Sequence, residues 1–245
     1  MRLKRSHVLT GLLALGTAVV GTVLVRRPML DWGSSPEEAR RHLPGDDLLP
    51  HADLVATRAI TISAPPRAVW PWLVQIGTGR AGAYSYDVLD RLAGLDMYSS
   101  HRIIAEFQDL SVGDVIPVAN DGTRLRVKIV EPDRVLGTLS DDGTWAWTWI
   151  FEPLGQGTRL LSRTRMDTRQ SPPLARLGVN VLLIPASWIM ERTMLLGLRE
   201  RAEGSQQEGQ SGVVCETGME SHTPVVPRRN RCRPRSAGAP ATTTP

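Results

Sequence analysis

The residues able to carry chemistry fall into a few groups, and most of the familiar arrangements are missing. Gly77-Thr78-Gly79-Arg80-Ala81-Gly82 matches G-x-G-x-x-G. A dinucleotide site needs those glycines between a strand and a helix. Here they follow an apolar helical pattern, so they read as a glycine-rich helix exit. The five histidines are scattered with no H-x-x-x-H pair, and both cysteines, Cys215 and Cys232, lie near the C-terminus. No metal site, thiol nucleophile or disulfide framework follows. There is no G-x-S-x-G elbow. Acid–base catalysis would have to draw on Asp87, Glu106 or Asp109 with a Tyr or Arg, and nothing in their spacing selects a catalyst.

What remains is suited to binding. Tyr84 and Tyr86 flank Ser85 beside a glycine segment, each offering an apolar body with a polar tip. Asp87 reads as a helix cap. Trp145, Trp147, Trp149 and Phe151 alternate along one strand face and are too apolar to be exposed. Trp72 lies on the apolar face of a helix with Val69, Leu73 and Ile76. Arg159, Leu161, Arg163 and Arg165 share one strand face, and an Arg such as Arg163 turned inward could anchor a carboxylate or hydroxyl. For at least two of these arginines a solvated face is the expectation. Met190 and Met194 form a stripe that suits a wall adapting to ligand shape. The ligand-binding candidates are therefore Trp72, Tyr84, Tyr86, Trp147, Trp149, Arg163, Met190 and Met194. No cofactor is implied.

Several elements must position these residues. Residues 8–25 (VLTGLLALGTAVVGTVLV) carry no charge and are bracketed by Arg2, Lys4 and Arg5 before and Arg26 and Arg27 after. This is the short end of a membrane-spanning length. A cleaved signal is the competing reading, but the run ends in Val-Leu-Val-Arg-Arg, without a small-residue cleavage site. A single-pass anchor over residues 1–30 is expected. With Arg40 and Arg41 counted, basic residues are nearly balanced across the span, which leaves the orientation open. A connector, 31–54, contains a capping-box helix start at Ser35-Pro36-Glu37-Glu38. A body, 55–203, follows. The tail, 204–245, is rich in Gly, Ser, Thr, Pro and Arg and reads as disordered.

The chain has 245 residues and a net charge of +4. Five basic and no acidic residues fall in 1–30, and the body is slightly acidic. The electrostatic footprint of a nucleic-acid binder should sit on the folded domain, so nucleic acid is not an expected partner.

Within the body, Arg58–Ile62 alternates as a strand and Ala64-Pro65-Pro66 opens a helix that Pro71 kinks. A short helix over Tyr86–Leu92 and a helical turn over Arg102–Asp109 follow. Five strands come next, joined by Asp-Gly and Gly-x-Gly turns. In Thr123–Val130, Leu125, Val127 and Ile129 are expected on one face. Last comes an apolar segment, Leu174–Ala202, interrupted by Pro185. Its second half should be an amphipathic helix with Met190, Met194, Gly197 and Leu198 on the stripe and Glu191, Arg199 and Glu200 off it. The charge-free stretch before Glu191 is too short for a second span. The expected fold class is α+β: a curved antiparallel sheet wrapped around a long C-terminal helix, with a pocket between them.

That order, with Ile62-Ser63-Ala64-Pro65-Pro66-Arg67-Ala68-Val69-Trp70-Pro71-Trp72-Leu73 as opening strand and helix, resembles the helix-grip fold of the SRPBCC, or START-like, superfamily (polyketide cyclase/dehydrase and lipid transport). Residues 149–163 (WIFEPLGQGTRLLSR) are similar to its penultimate hairpin, and 185–203 to its closing helix. The resemblance covers about residues 55–203. It implies a deep hydrophobic cavity holding a lipid or polyketide-like small molecule. Three readings follow: a membrane-anchored binding protein, a cyclase/dehydrase-type enzyme acting in the same cavity, or a ligand-free interaction module whose cavity its own Trp and Met side chains fill. Family membership does not choose among them.

Overall fold

The computed structural model describes residues 26–84, 99–118 and 122–211. The candidate anchor at 8–25, Tyr86, Asp87, the expected helix over Tyr86–Leu92 and most of the tail lie outside the described residues.

Six strands form one antiparallel sheet: β1 (Leu54–Ile62), β2 (Val115–Pro117), β3 (Arg124–Glu131), β4 (Val135–Ser140), β5 (Trp145–Leu154) and β6 (Gly157–Met166). Their order is β1-β6-β5-β4-β3-β2. Strands β2 to β6 are sequential neighbours joined by short turns. Only β1 reaches its partner, β6, across the whole intervening chain, pairing from Leu54 opposite Met166 to Ile62 opposite Thr158.

The two-residue period of a strand sorts the side chains. Ile60 and Ile62 of β1, Trp147, Trp149 and Phe151 of β5, Leu160 of β6 and Leu136 of β4 join one core cluster with the helices. Ala59, Ile150 and Leu161 point the other way and meet Leu43 of the connector. In β3 the register shifts between Val127 and Ile129. The irregularity sends Val130 toward the helix-side core, while Ile129 packs against Gly137, where a Cβ would approach it to 3.1 Å. Ile129 thus leaves the face expected for it, because one extra residue reverses the alternation beyond it.

Helix α1 (Pro36–Arg40) begins with the expected capping box: Ser35 Oγ accepts from the Glu38 amide and Glu38 accepts from the Ser35 amide. The connector does not hang free. Arg159 donates to both Glu38 carboxylate oxygens at 2.8 Å, and Ala59 donates its amide to the Trp32 carbonyl at 3.0 Å. Gly33, at φ +73°, passes so close to β1 that a Cβ there would lie 2.1 Å from the Ala59 oxygen. Only glycine fits this close approach.

Helix α2 (Pro66–Val74) contains Pro71 and buries Val69, Trp72, Leu73 and Val74. After it, Gly77, Gly79 and Gly82 all take positive φ, and Gly77 pairs with Gly82 in a tight reversal. This is the helix exit expected from the sequence. A single 3-10 turn, Ala105–Phe107, stands where a helical turn was expected.

The closing segment runs through α3 (Pro173–Gly178), one π turn (Val179–Leu183) and α4 (Ile184–Ser211). Pro185 has no N–H to donate to residue 181, and the π turn that ends at Leu183 lies just before it. By length and composition Pro173–Gln206 is one candidate membrane span among the described residues, but only a third of its most apolar stretch is buried. From Glu191 onward the helix covers the sheet, with Met194, Leu195, Leu198 and Ala202 in the core. This is the expected α+β, helix-grip architecture.

Candidate functional site between the sheet and the closing helix

The site surface is the helix-facing side of β4–β6, with α2 at one flank and α4 as its cover. Its centre is an indole ladder. Alternation along β5 stacks Trp145 on Trp147 at 5.7 Å between centroids and Trp147 on Trp149 at 4.4 Å. Trp147 Nε1 donates to Ser162 Oγ at 2.8 Å, across the β5–β6 pair. The Trp149 and Trp72 indole nitrogens are equally buried but meet no acceptor in the protein. An apolar interior holding unpaired N–H donors is an unusual state, because an unmatched buried donor costs about 1–3 kcal/mol.

Tyr84 stands at the flank. It adopts φ +53°, the left-handed region that a bulky residue rarely takes. Its hydroxyl donates to the Trp72 carbonyl at 2.9 Å and accepts from Gln75 Nε2 at 2.7 Å. Its ring meets Trp72 edge-on at 6.2 Å and carries the Arg201 guanidinium at 4.4 Å. Burial pushes its phenol up to about 12. Gln75, fully buried, also accepts from the Ile104 amide and donates to the Arg102 carbonyl, tying the loop after residue 99 to α2.

A buried ion pair closes the other flank. Arg58 on β1 faces Glu191 on α4, with side chains 2% and 4% exposed. Arg58 also donates to the Met29 carbonyl at 3.0 Å and to Ser187 Oγ at 3.2 Å. Glu191 Oε2 takes the arginine, whereas Oε1 is buried without a protein partner. Glu191, expected off the buried stripe, is on it: with Met194, Leu195, Leu198 and Ala202 it forms one i, i+3, i+4, i+7, i+11 face. Its charge hid that position, since only a partner on a distant element, here Arg58 of β1, makes the burial tolerable.

The structure therefore brings together Trp72, Tyr84, Trp147, Trp149 and Met194. Met190, one turn earlier, is half-buried. Arg163 is elsewhere. It points to the outer face, 3% exposed, and donates to the carbonyls of Glu38, Ala39 and Arg41 at the end of α1. Those are the carbonyls a helix C-terminus leaves unpaired. Burial lowers the Arg163 pKa from its ordinary value, opposed by Asp46. Arg159 and Arg165 share this outer face and bind the connector as well, so none of the three is merely solvated. Arg58, Glu191, Gln75 and Ser162 were missing from the sequence-based set. Arg58 carried a usable signal, having the same strand parity as Ile60 and Ile62. Glu106 and Asp109 are exposed, and no group of metal ligands occurs among the described residues.

A six-stranded antiparallel sheet gripping one long C-terminal helix settles the architecture. The fold is of the helix-grip type. No family model matches the chain, and no curated protein does. Similar solved structures include a polyketide-cyclase-like protein of Corynebacterium glutamicum (19% identity, 68% of this chain and 97% of that one, TM-score 0.31). They also include protein MLL2253 of Mesorhizobium loti (16%, 62% and 98%, 0.39) and the Aha1 dimer of Colwellia psychrerythraea (15%, 61% and 96%, 0.37). The helix-grip assignment rests on the strand order and closing helix of this chain.

Proposed function

We propose that this chain binds a hydrophobic small molecule, lipid or polyketide-like, between the sheet and α4, held at a membrane by residues 8–25. The observation that carries the reading is that the indole N–H groups of Trp72 and Trp149, both in the helix-side core cluster, are buried and meet no acceptor. Ligand sites pair an apolar lining with a few fixed polar groups. An apolar molecule with a carbonyl, hydroxyl or carboxylate oxygen would satisfy these donors and remain buried. The test is native mass spectrometry of the full chain released from detergent micelles. The expected result is a small-molecule adduct, weakened by Trp149→Phe, which keeps the aromatic body and removes the donor. A chain that carries no adduct and takes up neither fatty acids nor aromatic polyketides would overturn the reading in favour of a ligand-free module.

A second reading, cyclase/dehydrase-type chemistry, is favoured by one observation: a buried carboxylate, Glu191, whose Oε1 is unpaired beside Arg58. It predicts that the molecule recovered from Glu191→Gln is heavier by one water than that from the unaltered chain. Identical masses would refute it.

A further inference from the structure

The closing segment has two unlike halves. From Glu191 on, α4 covers the sheet. Before it, residues 173–190 hold a single charged group, Arg176, and a single buried one, Ile184. Leu174 is 80% exposed and Leu182 71%, and Leu177, Val181, Leu183 and Ile189 are exposed as well. Scattered surface leucines need no explanation, but a contiguous apolar patch on a folded domain does.

Two features indicate what covers it. The first is its shape. Val181, Leu182 and Leu183 are successive and all exposed, and at about 100° per helical residue they fan over roughly half the circumference. A partner helix docks along one narrow stripe. A surface that wraps, such as lipid, fits the fan better. The second is continuity. Residues 26–30 end in Met29 and Leu30, which pack with Val179 and Ile184 of this same segment and with Leu54 and Met166. The chain that follows the uncharged run 8–25 thus enters the domain at the patch itself.

We propose that residues 173–189 lie in a lipid bilayer surface, as a second membrane contact beside the 8–25 segment. The proposal rests on the reading of 8–25 as an anchor. An apolar helix lying in the interface plane buries its exposed side chains at the boundary of headgroups and acyl chains, and Arg176 and Arg27 reach the headgroups. The contact also sets the direction of the site. Trp145 pairs with Met166, a member of the cluster under the patch. The indole ladder therefore starts at the membrane end of the sheet and runs inward, so an apolar ligand enters from lipid rather than from water.

The test uses the full chain with Cys215→Ser and Cys232→Ser and one introduced cysteine carrying a nitrobenzoxadiazole fluorophore. The first position is Leu182→Cys. The second is Leu154→Cys, an exposed apolar residue at the β5–β6 turn, at the opposite end of the nine-residue β1–β6 pairing. Each protein is reconstituted into phosphatidylcholine/phosphatidylglycerol vesicles with doxyl-labelled lipid, and flotation reports insertion. The expected result is several-fold stronger quenching by doxyl lipid at 182 than at 154, with 182 shielded from aqueous iodide. If the chain floats but 182 is as open to iodide as 154, the second contact is overturned and the anchor stands. If 182 is shielded from iodide yet untouched by doxyl lipid, protein covers it, either residues 8–25 or a second copy, and the proposal fails. A chain that does not float overturns the anchor and the proposal with it.

Discussion

Replacing Arg58 by Met should be among the most destabilising single changes in this chain, and replacing Glu191 with it should restore most of the loss. The two side chains are nearly inaccessible to solvent and belong to elements far apart in sequence. Met at 58 removes the positive partner and leaves the Glu191 carboxylate buried with neither oxygen paired by protein. Breaking a buried pair in this way costs about 3–5 kcal/mol, whereas exchanging both partners for apolar residues is often neutral. Here the double change also strands the Met29 carbonyl, which accepts from Arg58, adding about 1 kcal/mol. For a domain of this size each kcal/mol moves the melting temperature by about 2–4 °C. Arg58→Met should therefore melt roughly 6–20 °C lower, and the double variant R58M/E191M within a few degrees of the parent. Urea and thermal melts of the full chain in micelles, read by circular dichroism, measure both. The reasoning is refuted if either single variant costs under about 1 kcal/mol, or if the double cost equals the sum of the singles, since coupled partners cannot be additive.

Three further outcomes are expected. Gly197→Ala places a Cβ 2.6 Å from the Tyr84 carbonyl, so despite a gain of about 1 kcal/mol in helix propensity it should destabilise by about 1–3 kcal/mol. Gly204→Ala, whose Cβ meets nothing, should stabilise, and equal effects in denaturant melts would contradict the close approach of α4 to Tyr84. Tyr84→Phe should cost about 1–3 kcal/mol by leaving the Trp72 carbonyl and Gln75 without their partner, and an ultraviolet titration should lose the phenol that ionises at about 12. The hydrogen bonds and charge of Arg159 hold the Glu38 carboxyl at about 2 rather than 4.5. A depressed carboxyl stabilises the fold above its unfolded value and loses that contribution as pH falls through the folded one. Glu38→Gln, which can still close the capping box, should thus cost about 1–2 kcal/mol at neutral pH after allowing for solvent screening, and nothing near pH 2. A cost independent of pH would refute the charge argument.

The fold was readable because its devices are local. Alternation in β5, the Asp142-Gly143 turn, the capping box at Ser35 and the proline start of α2 each act within a few residues, and all appear where the pattern places them. The candidate site was half readable as a buried cluster. Trp72, Tyr84, Trp147 and Trp149 are large and apolar with a polar tip, so their type alone marks them for an interior wall. Arg163 went to the opposite face because strand parity gives two faces without saying which is inner, and the carbonyls that hold it come from a connector whose docking no local pattern encodes. Glu191 and Arg58 are legible only as a pair, and their separation of 133 residues hides the pairing. Ile129 was displaced by an irregularity at Lys128 that leaves no composition signal.

The docking of the connector along β1 has a consequence for how the chain is made. β1 has to wait for β6, whose first residue is synthesised about 95 residues after Ile62. At about 5–20 residues per second that is roughly 5–20 s during which β1 has no strand partner. The segment that carries Trp32 and Gly33 leaves the ribosome first, and its contact at Ala59 lies on the edge of β1 that β6 never takes. A nascent strand can thus be blocked on one side before its true partner exists, leaving one edge rather than two for a neighbouring chain to capture.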